Sequence, residues 1–504
     1  MTNGVIFQYI PGTGLAAPGQ FFEVNSGGQY QPATRIVLQG HATAAGSLAL
    51  DTPTPVASQN DADAFAGPGS MLREMFRLAA ANAPAQPIWI EAVADPGTPP
   101  AQWTLTVATL PAPGQGVIEI CGRQIAIAVS TTDTTATVAA SLGAAINAFY
   151  DTLTNAMLPL TATVATNVVT LLARHAGAIM NDVDIYNSTA PSNVLGATGV
   201  LTVAQPVLGT GTPTLSSALA ALGDDPADFV VSPFSDAINL AAATIAFNDT
   251  SGRWAWSRQS YGHYWSVSTS AFSALTTLGL GLNDRHQLLI GRFPGSVTPS
   301  WEWVAGRAAL ESTWLSDVTT GNVSRNQTGR IVQGVRGPRS RSGLWNYSAR
   351  NTLLNSGIST STIDTSGNVM IDKTVTCYRV GTSGQPDTVF RDIQAIYQAA
   401  GGIQYIRAML AVEQGQKAFA ASNPGNLAAI STPSDIKGTF VHAYTDLVNR
   451  GVFQDADTFT RNLIVQANAS NPARCDVLAP IERVNPLDIL AVNATFYQAY
   501  PPGF

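Results

Sequence analysis

The chain has 504 residues, enough for about three domains that each bury a core. Charged residues make up 12% of it, about half the ~25% usual for soluble domains, and the net charge is −7. That balance excludes a general nucleic-acid binder, which needs a basic footprint; so neutral a surface suits either extensive coverage by partners or a Ser/Thr/Asn-rich extracellular exterior.

Three cysteines (Cys121, Cys377, Cys475) lie far apart and cannot all pair within one chain, so free thiols in a reducing cytoplasm are the expectation. The N-terminus lacks the basic start and apolar core of a signal peptide, and no apolar run reaches the ~20 residues that span a bilayer.

Residues 1–32 are rich in Gly, Pro and Gln and predict an N-terminal extended arm. Within it residues 20–25 alternate, with Phe22 and Val24 on one face and Phe21 and Glu23 on the other. A buried strand at 34–40, a helix from Ser70 to about Asn82 and a strand at 87–93 open an α/β core domain over 33–98. Composition turns to Thr, Ala and Val over 99–212, with short strands expected at 103–109, 117–120, 125–129, 160–164 and 168–173. One helix, 136–147, carries Val138, Leu142 and Ile146 in a single stripe, so this stretch reads as a small β-rich inserted domain. The α/β core domain resumes over 213–349: strands at 229–232, 263–269 and 286–291 alternate with helices at 235–248, 272–282 and 300–315. That order implies a mostly parallel sheet flanked on both faces.

Residues 350–485 predict a C-terminal α+β domain. A helix ends at Gly357; strands at 358–363 and 368–378 flank the turn Asp364-Thr-Ser-Gly367. Val389, Ile393, Ile396, Ala400 and Ile403 mark a helix that Gly401-Gly402 should kink or weaken. Thr432-Pro-Ser-Asp435 starts a second helix, and strands are expected at 463–467 and 475–479. Residues 486–504 form a C-terminal arm, whose strand at 489–500 puts Leu490, Val492, Ala494 and Phe496 on one apolar face. The fold class is thus α/β and α+β multidomain, an interrupted α/β core with a C-terminal α+β domain and two arms.

Signs of catalytic chemistry are sparse. The lysines are Lys373, Lys417 and Lys437, and no Gly-x-x-x-x-Gly-Lys-Ser/Thr phosphate loop exists. Gly67-Pro-Gly-Ser70 reads as a capping turn before an anion cradle. His41, His175, His263, His286 and His442 are singletons without metal spacing, so neither metal nor cofactor is expected. His263 and His286, with Asp228, Asp236 and Ser232 or Ser268, fall near strand ends, but no Gly-x-Ser-x-Gly elbow accompanies them and no enzyme is expected. Trp254, Trp256, Tyr261, Tyr264 and Trp265 read as core or interface packing, or alternatively as a ligand platform.

Between Asp317 and Asp364 stand Arg325, Arg330, Arg336, Arg339, Arg341 and Arg350 without an acidic residue, in what reads as a long surface loop. It reads equally as a solvated basic loop or as a docking strip for an acidic protein. Nucleic acid is a third reading, with only Trp345 and Tyr347 to stack on bases.

Motif by motif, the chain resembles the contractile tail sheath proteins of Mu-like bacteriophages. The residues that carry this are Arg350-Asn-Thr-Leu-Leu-Asn-Ser-Gly-Ile-Ser-Thr360, Gly367-Asn-Val-Met-Ile-Asp-Lys-Thr-Val-Thr-Cys-Tyr378, Thr432-Pro-Ser-Asp-Ile-Lys437 and Asn471-Pro-Ala-Arg-Cys-Asp-Val-Leu478. Upstream, Ala17-Pro-Gly-Gln-Phe-Phe-Glu23, Ile36-Val-Leu-Gln-Gly40 and Phe65-Ala-Gly-Pro-Gly-Ser-Met-Leu72 follow in order. Two passages depart from the family pattern, Gly415-Gln-Lys-Ala-Phe-Ala-Ala-Ser-Asn-Pro424 and the Arg-rich 325–341.

The resemblance implies a structural subunit that assembles with itself into six-fold rings stacked helically around a tail tube, then contracts to drive the tube through the host envelope. It implies the tube, baseplate and tail terminator proteins as partners, assembly in the host cytoplasm and residence in the virion tail. Strand-donating arms would be carried here by Phe21, Phe22 and Val24 and by Leu490, Val492, Ala494 and Phe496, while Arg325, Arg330, Arg336, Arg339 and Arg341 would face the tube or another partner. The alternative is a receptor-binding or other structural tail protein, for which no fibrous repeat is present.

Overall fold

The computed structural model describes residues 35–97 and 99–498. The predicted N-terminal arm, with Phe21, Phe22 and Val24, lies outside the described residues.

The first elements are β1 (Ile36–Gly40), β2 (Thr54–Val56), α1 (Gln59–Ala66), α2 (Met71–Asn82) and β3 (Ile88–Ala92). Both helices start on serines: Ser58 and Asp61 form a reciprocal capping box, and the Ser70 hydroxyl accepts the Arg73 N–H. The chain then builds β4 (Pro100–Val107), β5 (Gly114–Ile120), β6 (Arg123–Val129), α3 (Thr135–Asn147), β7 (Leu160–Ala165), β8 (Val168–Ala176), β9 (Ile185–Tyr186) and β10 (Leu201–Val207). These strands form two sheets of their own, in the orders β10-β4-β8-β7 and β6-β5-β9, and α3 packs on both. Alternation decides their faces: β4 and β6 bury every second residue.

Next come α4 (Ser216–Ala221), β11 (Phe229–Val231), α5 (Ala237–Phe247), β12 (His263–Ser268), α6 (Phe272–Gly281), β13 (Gln287–Gly291), α7 (Ser300–Leu315), β14 (Ile331–Arg336), α8 (Tyr347–Asn355), β15 (Ile358–Ile363) and β16 (Asn368–Lys373). With β1, β2 and β3 these strands make one nine-stranded sheet, β14-β16-β15-β13-β12-β11-β1-β3-β2. Its middle pairs are parallel, and β1, β12 and β13 are buried along their whole length, as strands covered on both faces must be. The crossover through α2 runs from β1 toward β3, while those through α5 and α6 run the other way; right-handed crossovers therefore place α2 on one face and α5 and α6 on the other. Helix α7 packs against α2 and over β1, β11 and β12.

The remaining elements are α9 (Ile393–Gln414), β17 (Ala418–Phe419), β18 (Ile430–Ser431), α10 (Pro433–Asn449), α11 (Ala456–Asn462), β19 (Ile464–Ala467) and β20 (Cys475–Leu478). The Thr432–Asp435 capping box and its following proline start α10 as expected. Tyr444 stacks on Phe459 with ring centroids 3.7 Å apart and holds α10 to α11. No helix among the described residues is long and apolar enough to cross a membrane.

Four expectations are corrected. The sheet does not stop at residue 350: β15 pairs in parallel with β13, and β16 pairs with β14, because Ile358 and Ser359 extend the buried parallel core. The Arg-rich stretch is not loop throughout, since Ile331–Arg336 forms edge strand β14 with Val332 and Val335 buried. Helix α9 runs on through Gly401-Gly402: a Cβ on Gly402 would lie 2.4 Å from the Phe453 ring, and one on Gly401 would lie 2.4 Å from a Val318 methyl, so both glycines serve close packing. Residues 489–498 form no strand, since an extended segment becomes one only when it pairs with an edge and this segment pairs with none among the described residues.

Candidate assembly surfaces

In a doubly wound sheet the ligand crevice opens at the C-terminal ends of the strands where crossovers reverse, here between β1 and β11. That crevice is filled from within. His41, just after β1, packs with its ring centre 5.2 Å from that of Phe234, shortly after β11, and 5.5 Å from that of His175 on β8. Asp95 joins the two imidazoles, 2.9 Å from His41 Nδ1 and 3.5 Å from His175 Nδ1. The Met71 N–H at the start of α2 donates to His175 Nε2 at 3.0 Å, so that nitrogen carries no proton and Nδ1–H points at Asp95. Burial pushes the His175 pKa down against the pull of Asp95. For Asp95 burial acts upward, but the bonds from His175 and His41 outweigh it and hold the carboxyl well below its usual range. These bonds tie β1, β8, the start of α2 and the segment after β3 together as a polar plug.

The strand-end residues weighed as a hydrolase triad are not brought together. His263 is buried, its Nε2 3.1 Å from the Arg285 carbonyl, and burial pushes its pKa to about 3. His286 stands 3.2 Å from Asp249 instead of Asp228 or Asp236, and the Ser268 hydroxyl accepts the Ser270 N–H. Of the aromatic cluster, Tyr264 and Trp265 are core, Trp254 stacks edge-on with Tyr261, and Trp256 stands 82% exposed.

Ion pairs lock β4–β10 onto the nine-stranded sheet. Arg123 at the start of β6 sends Nη2 to Glu74 on α2 and to Glu302 on α7, each at 2.8 Å. Arg77 closes the ring with 2.8 Å to Glu74 and 2.7 Å to Glu302, and Arg73 adds a third guanidinium on Glu74. Burial alone would raise the Glu74 pKa; Arg77, Arg123 and Arg73 together outweigh it and hold the carboxylate below its ordinary range. Farther along, Asp182 pairs with Arg292 and accepts the Ser300 N–H at 2.5 Å, capping α7, whose own Pro299 provides no side-chain cap. Sequence reasoning passed over all of these charges, because partners up to 225 residues apart leave no local pattern.

The basic strip is largely spoken for. Arg325 and Arg330 sandwich the Trp314 ring at 3.8 and 4.0 Å. Arg339 reaches Asp184 at 2.7 Å and Glu119 at 3.0 Å while lying over Tyr186. Arg336 donates to the Gly122 carbonyl at 3.4 Å, and Arg341 to that of Asp364 at 2.8 Å. The acidic partners absent from the local sequence are thus supplied to Arg339 by β5 and the turn before β9. Arg325, Arg336 and Arg341 remain exposed.

The C-terminal segment is rooted through residues 484–488. Val484 N–H donates to the Val452 carbonyl at 3.1 Å, Gln398 donates to the Val484 carbonyl at 2.8 Å, and Asn326 donates to that of Leu487 at 2.7 Å. Lys373 at the end of β16 pairs with Asp392 and with Asp488, tying the large sheet, the start of α9 and the segment's root together. Beyond Asp488 the apolar side chains face solvent: Leu490 is 78% exposed, Val492 75% and Phe496 94%, and Ala494 is exposed between them. Nearby in sequence, β19 and β20 pair only with each other among the described residues, and so do β17 and β18. An isolated two-stranded ladder is marginal in water, and both of its edges carry unpaired backbone groups.

No family model matches the chain. Among solved structures it resembles a crystal structure of a tail sheath protein from Listeria innocua, at 13% identity and a TM-score of 0.46 over 90% of this chain and 92% of that one. It also resembles a chain in the six-fold symmetrised cryo-EM structure of the anti-feeding prophage baseplate, at 13% identity and a TM-score of 0.36 over 56% of this chain and 73% of that one. The sequence itself is 26% identical over 471 residues to the tail sheath protein of the Mu-like prophage FluMu of Haemophilus influenzae, covering 91% of each chain. Along nine-tenths of its length, the chain is a relative of a Mu-like phage tail sheath protein.

Proposed function

We propose that this chain is the structural subunit of a contractile phage tail sheath, resident in the virion tail and without a catalytic role. The relation to the FluMu sheath protein along nine-tenths of the chain carries this reading. Subunits would assemble in the host cytoplasm as stacked six-fold rings around a tail tube, between baseplate and tail terminator. They would then contract to drive the tube through the host envelope. The connection between subunits would be strand addition: residues 489–504 of one copy pair with a two-stranded C-terminal sheet of another, burying Leu490, Val492, Ala494 and Phe496. The exposed apolar face beyond Asp488 and the unpaired edges of β19 and β20 support this. Such contacts are heterologous and propagate as rings or helices. The exposed Arg325, Arg336 and Arg341 remain the residues of the basic strip with which to meet an acidic tube surface.

Removing residues 489–504 tests the connection while sparing the Lys373–Asp488 root. The truncated chain should fold and elute as a monomer yet form no tubes by negative-stain electron microscopy. Normal tubes from it would refute strand addition by this arm, and failure of the full chain to polymerise would refute the sheath reading.

A further inference from the structure

We propose that asparagine side chains close the other sheet edges of this chain to strand addition, so that a donated arm is steered to edges that lack such a clamp. The inference rests on the arm reading above and adds what keeps the arm from pairing in the wrong place. Among the described residues three asparagines make the same two-bond contact to a strand residue, a contact that Asn181, Asn283 and Asn423 make to the loop residues Gly209, Val380 and Leu427. Asn147, the last residue of α3, accepts the Ala162 N–H at 2.8 Å and donates to the Ala162 carbonyl at 2.8 Å, on edge strand β7. Asn82, the last residue of α2, accepts the Gln333 N–H at 2.8 Å and donates to its carbonyl at 3.0 Å, on edge strand β14. Asn193 does the same to Val117 on β5, at 2.8 and 2.9 Å, just beyond Glu119 and Ile120 where the short β9 stops pairing.

In each case one carboxamide satisfies the N–H and C=O of a single strand residue, as a neighbouring strand would. It sits where an incoming strand must dock, because an unpaired edge is a template for any extended chain. The other edges are guarded differently: β2 has three residues, and β10 carries Pro206, which has no N–H to offer. Among the described residues no side chain bonds to the outward backbone of β19, β20 or β6, and these are the open edges longer than the two residues of β9, β17 and β18. A polymer built by strand addition from a protein with this many edges needs such discrimination, since backbone pairing alone is indifferent to sequence.

Asn147 is the one to change, being exposed at the end of α3. In the full chain, Asn147→Ala should leave the circular dichroism spectrum and monomer elution unchanged. On polymerisation it should give irregular aggregates, a several-fold loss of ordered tubes by electron microscopy, and new amide protection over 160–165 by hydrogen exchange. Asn147→Asp keeps the acceptor but sets a carboxylate against the Ala162 carbonyl, and should do the same. Wild-type tubes without new protection at 160–165 in both variants would overturn the proposal. Adding the deletion of 489–504 to Asn147→Ala should abolish the aggregates, and their persistence would equally overturn it. Tubes from the deletion alone refute the arm itself; a deletion that blocks assembly beside a silent Asn147→Ala refutes only the clamp.

Discussion

Replacing Arg123 with methionine removes the guanidinium that Glu74 and Glu302 share and leaves two buried carboxylates facing each other with Arg77 and Arg73 as their remaining cations. The methionine fills much of the same volume, so the loss is electrostatic, without a cavity to complicate it. Breaking a buried pair by removing one partner costs about 3–5 kcal/mol, because the orphaned charge cannot be resolvated. For a unit of about 470 residues, with ~2.1 cal/mol/K of unfolding entropy per residue, each kcal/mol moves the melting temperature by roughly 1 °C, so a fall of about 3–5 °C is expected. Scanning calorimetry of the unpolymerised chain measures it, and hydrogen exchange over 123–129 should accelerate as β6 loses its anchor. Removing the second charge as well, in Arg123→Met/Glu302→Gln, should recover part of the loss, since the two sites share one network. Arg258 and Asp224 supply the control: their 2.6 Å contact is solvent-exposed, and Arg258→Met should leave the melt unchanged. A shift for Arg123→Met as small as that of Arg258→Met would show that the ion cluster does not hold these sheets together.

The polar plug adds a pH dependence. His175 has a folded pKa below its unfolded value near 6.5, so its contribution is complete above about pH 6.5 and is lost as pH falls through the folded pKa. In His175→Gln the carboxamide can still accept from Met71 and donate to Asp95, so its melting temperature should be flatter with pH below 6.5, and equal slopes for the two proteins would refute this. Two helix glycines should respond oppositely: Gly402→Ala drives a Cβ to 2.4 Å from the Phe453 ring and should lower stability by about 1–3 kcal/mol. Gly438→Ala, in open space on α10, should raise stability by up to ~1 kcal/mol, and denaturant titration of both separates packing from propensity.

Local signals in the sequence proved reliable where one residue decides one element. Thr432-Pro-Ser-Asp435 predicted the start of α10, and the stripe Val138, Leu142, Ile146 predicted α3. Residues 300–315 match α7 end to end. What escaped was set by partners far along the chain. Arg339 reads as an unpaired cation until Asp184 is folded beside it, and Gly401-Gly402 reads as a weak point until Phe453 and Val318 fill the space over it. The alternation from Leu490 to Phe496 is real, but alternation describes a strand only when an edge is present to receive it. Edge protection was legible in neither composition nor periodicity. Asn82 and Asn147 look like ordinary helix ends, and their function depends on which strand the fold brings alongside.

The same economy of charge runs through the inside and the outside of this molecule. With only 12% of residues charged, several of the cations are held internally: Arg73, Arg77 and Arg123 on one cluster, Arg253 on backbone carbonyls, Arg307 on Glu311. Such pairs tie sheets and helices to one another. The surface left over is sparsely charged, and such a surface has little long-range attraction with which to select a partner. Selection then falls to contact geometry: an apolar face of fixed spacing, a backbone ladder to receive it, and blocked edges wherever the ladder would be wrong. In the proposed sheath this division is functional, because the bodies must slide past one another during contraction while the strands joining them hold. Sparsely charged faces repack with few ion pairs to break, whereas backbone ladders between copies give way only by unzipping residue by residue.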